Sequence, residues 1–237
     1  MRFDLYGRAM MATSALTIAL TLLFAAFTTA PAGAAVPSTG GTQAAAVTPP
    51  TAHEGRVRTT VSVLSRRTAV RAGRSARVTG RVRPAIAGRL VLLQRVRGHH
   101  WVTIARARTI AGGRYVLRHR TRGSVSAPLR VRVAGAPGTT RRTRRIGRLE
   151  AFRPALASWY GEGQALACGG HLTPRMMGVA HKSLPCGTKV TIRYRGRQVR
   201  VPVVDRGPYA GGREFDLGPG VRAALRFDGV GTIQVAH

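Results

Sequence analysis

The sequence predicts an all-β protein. Apolar and polar residues alternate with a period of two along most of the chain beyond Arg56. Glycine- and proline-containing turn signals punctuate these runs at short intervals. Only one stretch, residues 219–227, reads as a helix, with Pro219 at its first position and Gly218 as a weak cap.

The first alternating block opens with Val57, Val61 and Val63. Ala76, Val78, Gly80 and Val82 then alternate with Arg77, Thr79, Arg81 and Arg83, and runs follow at 91–96, 101–105, 115–117 and 129–133. Turns are expected at Gly73, Pro84, Gly98, Gly112-Gly113, Gly123 and Gly135–Gly138. Short strands at this spacing predict an antiparallel, immunoglobulin-like (Ig-like) β-sandwich over residues 56–150, with its arginines mostly on solvent faces. Trp101 reads as a core or inter-sheet residue. Residues 138–149 form a basic tract, which reads either as a solvated strand or loop or as an added anion-binding stripe.

A second region, 151–237, has strands expected at 157–160, 178–180, 189–194, 198–204 and 232–235, with an Arg195-Gly196 hairpin turn. Pro202 cannot donate a ladder bond, so its outward side must meet an edge or a bulge. These elements predict a small β-barrel with one short helix.

Residues 1–34 read as a signal peptide: Arg2 and Arg8 precede an apolar run at 14–28, and Ala32-Gly33-Ala34 gives a small-x-small cleavage site. The run is short for a hydrocarbon core of roughly 30 Å. Cleavage and release are therefore expected, giving a secreted, extracellular or wall-associated protein with no stable membrane span. Residues 35–55 read as a disordered linker. The two cysteines, Cys168 and Cys186, form an even number in an exported chain and predict a disulfide.

The formal net charge is +31, and no Asp or Glu lies between Arg56 and Arg148. A single-sign field of this kind binds polyanions in a salt-dependent way, so anionic wall polymers are the expected partners of the Arg-rich region. No base-reading motif is present, and specific nucleic-acid binding is not expected. His171 and His181 lack cysteine or carboxylate partners at ligand spacing, so neither a metal nor another cofactor is expected.

Two of the eight acidic residues, Asp205 and Asp216, fall in one short strand–loop–strand segment. Val199, Val201 and Val203 read as inward-facing, and strict alternation would carry Asp205 inward too. A carboxylate buried in a small apolar barrel is expensive, so the strand is expected to end near Val204, with Asp205 meeting solvent or a sugar at the rim. Phe215 and Leu217 flank Asp216 and send it to the opposite face. The two carboxylates are thus expected on one open groove, with His181 and Tyr160 nearby. Two carboxylates on one face are candidates for acid–base chemistry. Asp205 also reads as an ion-pair partner of Arg206 or a cap on the Gly207-Pro208 turn, and His181 as a hydrogen-bonded strut. Trp159 and Tyr160 read as sugar-stacking or as core residues.

The strings Ser158-Trp159-Tyr160-Gly161, Ala180-His181-Lys182-Ser183-Leu184-Pro185 and Asp205-Arg206-Gly207-Pro208-Tyr209, with Asp216-Leu217 beyond, resemble the rare lipoprotein A family. The resemblance covers about residues 156–236 and implies a six-stranded double-psi β-barrel, related to expansins and a class of endoglucanases. It implies action on peptidoglycan glycan strands, as a lytic transglycosylase or as a glycan-binding or expansin-like wall-loosening module. By the same resemblance Asp216 is the general-acid candidate and Asp205 its supporting carboxylate or a sugar hydrogen-bond acceptor; His181 is a further acid–base candidate on its residue type. Trp159, Tyr160, Arg206 and Tyr209 are the substrate-binding candidates, and the Cys168–Cys186 pair resembles that of exported actinobacterial members. The chain departs from the pattern of active members in two ways. Their Glu position is Gly170 here, with Glu162 and Glu214 as possible spatial substitutes, and the lipid-bearing cysteine is missing.

Overall fold

The computed structural model describes residues 55–161 and 163–237. The expected signal peptide, and the expected linker apart from Gly55, lie outside them. The described chain is all-β: β1 (Thr60–Arg67), β2 (Ala69–Arg71), β3 (Ser75–Arg83), β4 (Leu90–Arg97), β5 (His100–Arg108), β6 (Arg114–Arg120), β7 (Val125–Val133), β8 (Arg142–Trp159), β9 (Val179–His181), β10 (Lys189–Tyr194), β11 (Arg197–Asp205), β12 (Phe215–Leu217) and β13 (Gly231–Ala236). One α-helix, α1 (Pro219–Leu225), sits between the last two strands. It stops short of the expected Phe227 because Arg226 turns left-handed and its N–H closes back on the Arg222 and Ala223 carbonyls.

The alternation read from the sequence builds a two-layer core. The sheet β1-β3-β6 contributes Val61, Ala76, Val78, Val82, Tyr115 and Leu117, and β4, β7 and β8 contribute Val91, Leu93, Leu129, Val131, Val133 and Leu149. The intervening arginines are left largely at the surface. Strand β2, which the sequence reading did not anticipate, pairs in parallel with β8 through Ala69–Glu150, Val70–Ala151 and Arg71–Phe152.

The basic tract becomes the first half of β8, an 18-residue strand. Residues 142–151 pair with β7, and residues 153–157 then pair with β13. One strand therefore serves both cores. A polar seam joins them further. Ser126 meets the Thr191 hydroxyl at 3.2 Å, Thr191 donates to Glu150 at 3.2 Å, and the Arg193 guanidinium lies 4.1 Å over the Phe152 ring.

The barrel is six strands in the order β12-β9-β11-β10-β13-β8, closed by β12 against β8. The closing pair and the β9–β11 pair are parallel and the others antiparallel. Val190, Ile192, Val201, Val203, Phe215, Leu217, Leu225, Phe227, Ile233 and Val235 fill its interior.

The end of β11 differs from expectation. The strand runs through Asp205, and Asp205 is only 8% exposed. Val203 pairs with Val179, yet Asp205 pairs with the next residue, Ala180. Two residues of β11 thus match one step of β9, which makes Val204 a bulge. The bulge resets the alternation and turns Asp205 to the outer face without ending the strand. Pro202 lies just before the β9 pairing begins, where its missing N–H leaves no ladder bond unmade.

The bulge depends on a close approach. A Cβ on Gly178 would lie 2.4 Å from a Val204 methyl carbon. Gly178→Ala is therefore expected to lower stability by about 1–3 kcal/mol through overpacking, seen as an earlier midpoint in urea unfolding. An unchanged midpoint would show that Val204 is free to move aside.

Candidate functional site

Strand register assembles a row of side chains across four barrel strands. Asp205 on β11 pairs with Ala180 on β9, Ala180 with Asp216 on β12, and Asp216 with Ser158 on β8. Residues in register share a face of the sheet. Phe215 and Leu217, the neighbours of Asp216, are fully buried on the other face. The Ser158 hydroxyl donates to Asp216 Oδ1. Asp205 Oδ1 accepts the N–H of Ala167 and that of Arg206, both at 2.8 Å.

Tyr160 follows directly after β8. Its hydroxyl is buried and has no hydrogen-bond partner. Burial pushes its pKa up, and the Asp205 and Asp216 carboxylates push it further. The phenol thus stands within the field of both acids.

The other described acids are paired differently. Glu214 forms a two-pronged ion pair with Arg153 and also faces His181. Asp228 meets Arg222 at 3.0 Å, and Glu150 has Arg193 at 3.9 Å. Among the described residues, Asp205 and Asp216 are the carboxylates without an ion-pair partner. They are held only by neutral donors.

The loop over Asp205 is pinned by the Cys168–Cys186 disulfide, whose Cα atoms are 5.7 Å apart, and by the Cys168 N–H on the Val204 carbonyl at 3.2 Å. The Ala167-Cys168-Gly169 turn thus sits against Asp205. At Gly170, φ is +82°, a left-handed conformation that favours glycine. The loop presents no carboxylate there; Glu162 lies outside the described residues, and Glu214 is occupied by Arg153.

His181 lies on the other face from Asp216, in register with Phe215 and with ring centroids 4.7 Å apart. Its Nδ1 accepts the N–H groups of Ser183 at 3.1 Å and Leu184 at 3.0 Å, so the neutral ring carries its proton on Nε2, which donates to Glu214 at 3.4 Å. Arg206 donates to the Leu184 carbonyl at 2.9 Å and the His181 carbonyl at 3.3 Å, clamping the segment before Cys186. Trp159 is exposed beneath the Arg222 guanidinium, 3.9 Å from its ring centroid, and Tyr209 is 80% exposed. Register therefore gathers Asp205 and Asp216 beside Tyr160, and places His181 and Arg206 in a neighbouring network. The sequence reading missed Ser158 as the donor to Asp216, although it lies in a quoted string. It also missed Arg153, for which the sequence carried no signal.

The closed barrel with two parallel pairs and one helix is the double-psi architecture. Residues 154–237 match the family model described as lytic transglycolase, and this region of the chain is a rare lipoprotein A-like double-psi β-barrel. It is 37% identical over 93 residues to the "Probable endolytic peptidoglycan transglycosylase RlpA" of Synechocystis sp., covering 37% of this chain and 29% of that protein. It is 38% identical over 85 residues to the "Endolytic peptidoglycan transglycosylase RlpA" of Campylobacter jejuni, covering 34% of this chain and 31% of that protein. The match thus spans under a third of either relative. Among solved structures, a Streptomyces papain inhibitor matches with 25% identity and a TM-score of 0.29, covering 36% of this chain and 94% of that one. Among the described residues no helix is long and apolar enough to cross a membrane.

His181 generates a pH prediction. Burial lowers its pKa, and Arg153 and Arg206 add to this against the opposing pull of Glu214. His119 and His237 are also lowered, chiefly by burial. The unfolded chain therefore binds more protons just below a histidine's ordinary pKa of about 6.5. Stability should be full above that value and fall as the pH drops through it towards the folded pKa values. Thermal melts between pH 7.5 and 5 should show this decline, and His181→Asn, which retains an acceptor for the two backbone N–H groups, should make it shallower. An equal slope in wild type and variant would remove His181 from the explanation.

Proposed function

We propose that the barrel acts on peptidoglycan and cleaves its glycan strands by a lytic transglycosylase-type reaction. The observation that carries this reading is the pair Asp205 and Asp216, unpaired carboxylates on one sheet face in a chain of net charge +31. The names of the relatives support the same substrate class.

In this reading the protonated Asp216 carboxyl gives its proton to the glycosidic oxygen as the bond from the anomeric carbon to that oxygen breaks. Asp205 supports the positive charge that develops on the sugar. The muramic acid's own 6-hydroxyl then attacks the anomeric carbon, and the ionised Asp216 takes the hydroxyl proton. One carboxyl thus serves as acid and then as base, and the product carries an anhydro ring. Ser158 orients Asp216, and the buried Tyr160 hydroxyl is a donor available to either acid. His181 acts as a positioning residue through Glu214 and the segment clamped by Arg206, with Trp159 and Tyr209 offering exposed rings to sugar faces. The Arg-rich region holds the protein to anionic wall polymers outside the cell, consistent with the signal-peptide reading.

A second reading, a non-catalytic glycan-binding or expansin-like module, is favoured by the glycine conformation at Gly170. Incubation of the protein with purified sacculi, followed by mass spectrometry, separates the two. Anhydro-muramyl products support cleavage; binding without such products supports the module. Asp216→Asn keeps an acceptor for Ser158, so its melting temperature should barely move while cleavage falls by about 100- to 10,000-fold, the span typical of a lost acid–base group. An unfolded variant would make Asp216 structural.

A further inference from the structure

The outer face of the β1-β3-β6 sheet is a second surface with chemistry of its own. Residues in register across antiparallel strands stand side by side, with Cα atoms about 4.5–5.5 Å apart. Arg67 is in register with Arg77, and Arg77 with Arg118. Three guanidinium groups from three strands therefore stand in one row. Ser65, Thr79 and the exposed Val116 occupy the next row on the same face, and Ser62, Arg81 and Arg114 the row after that. All five arginines are exposed, and none has an ion-pair partner among the described residues.

Like charges directly opposite one another destabilise a sheet, and residues 56–148 contain no acid to offset them. The free energy of such a face falls when an anion lands on it. The type of anion follows from the row. A carboxylate's two oxygens lie in one plane and are matched by a single guanidinium fork. A tetrahedral phosphodiester can turn its two non-bridging oxygens to two adjacent forks. Three forks in a row suit phosphate, and the serine and threonine hydroxyls between the arginine rows suit polyol or sugar units. The face carries no aromatic side chain for base stacking and no helix for a duplex groove, which argues against nucleic acid.

We infer that this face binds a linear phosphodiester polymer of polyol or sugar units, seated on Arg67, Arg77 and Arg118. The inference rests on the reading that the Arg-rich region holds the protein to anionic wall polymers, and it assigns the face and the anion.

The test is fluorescence anisotropy of labelled poly(glycerol phosphate) with the full chain at about 0.15 M salt and across a salt series. The face variant combines Arg67→Gln, Arg77→Gln and Arg118→Gln. The control variant combines Arg106→Gln, Arg132→Gln and Arg142→Gln on the other sheet and removes the same charge. The face variant should bind about tenfold more weakly or worse, and its slope of log affinity against log salt should be shallower by about 2–3. The control should lose much less. Thermal melts at low salt establish folding, and the face variant should melt no lower than wild type because repulsion has been removed. Equal losses in the two variants would overturn the face assignment while leaving diffuse anchoring intact. Equally tight binding of duplex DNA, or of the carboxylate polymer hyaluronate, lost in the same variant, would overturn the choice of anion. No binding by the wild type would defeat the anchoring reading as well.

Discussion

One surplus residue, Val204, decides which way the acid of β11 faces. Without it the period of two would direct Asp205 into an interior of valine, isoleucine, leucine and phenylalanine, where an ionised carboxylate would have to be neutralised or paired. With it, Val201 and Val203 remain inside and Asp205 joins the outer row with Asp216 and Ser158. The disulfide loop then has a seat, because Ala167 donates to Asp205 and Cys168 to the Val204 carbonyl. The facing of the two carboxylates and the seat of the loop above them both follow from that one local irregularity.

Charge is arranged on two different plans in one chain. In and beside the barrel, Glu150, Glu214 and Asp228 each have an arginine, while Asp205 and Asp216 are held by backbone N–H groups and a hydroxyl. Neutral donors hold a carboxylate in place without setting an opposing full charge beside it. In the first sheet the plan is reversed, with guanidinium groups in register and no acid among them. One region conserves unneutralised negative charge and the other accumulates unneutralised positive charge.

The regular parts of the fold were legible because they follow a simple period. Val78 and Val82, Val190 and Ile192, and Val201 and Val203 lie inside as alternation requires. The expected bond between Cys168 and Cys186 is present, and the barrel strings pointed to the family whose model matches residues 154–237. What escaped the sequence were the departures from periodicity and the contacts between distant residues. The Val204 bulge needs the facing strand to reveal it, since nothing in Val203-Val204-Asp205 marks a surplus residue. The pairing of Arg153 with Glu214 joins residues 61 apart, and a lone arginine in so basic a chain carries no signal. The basic tract before Ala151 hid the start of β8 because arginines on both sides of a strand obscure its alternation.

Strand β8 gives the molecule a mechanical character. Its 18 residues extend for about 60 Å at the usual rise per residue, less where the strand twists. Hydrogen bonds to β7 and β2 hold one half, and hydrogen bonds to β13 and β12 hold the other. A shared strand is a beam and not a tether. Its two halves cannot swing about a joint without tearing ladder bonds, so a load applied at the arginine-bearing end passes through the backbone to the barrel as tension and torque. The acidic row is thereby carried at a stand-off from the arginine-bearing end that is set by the length of one strand.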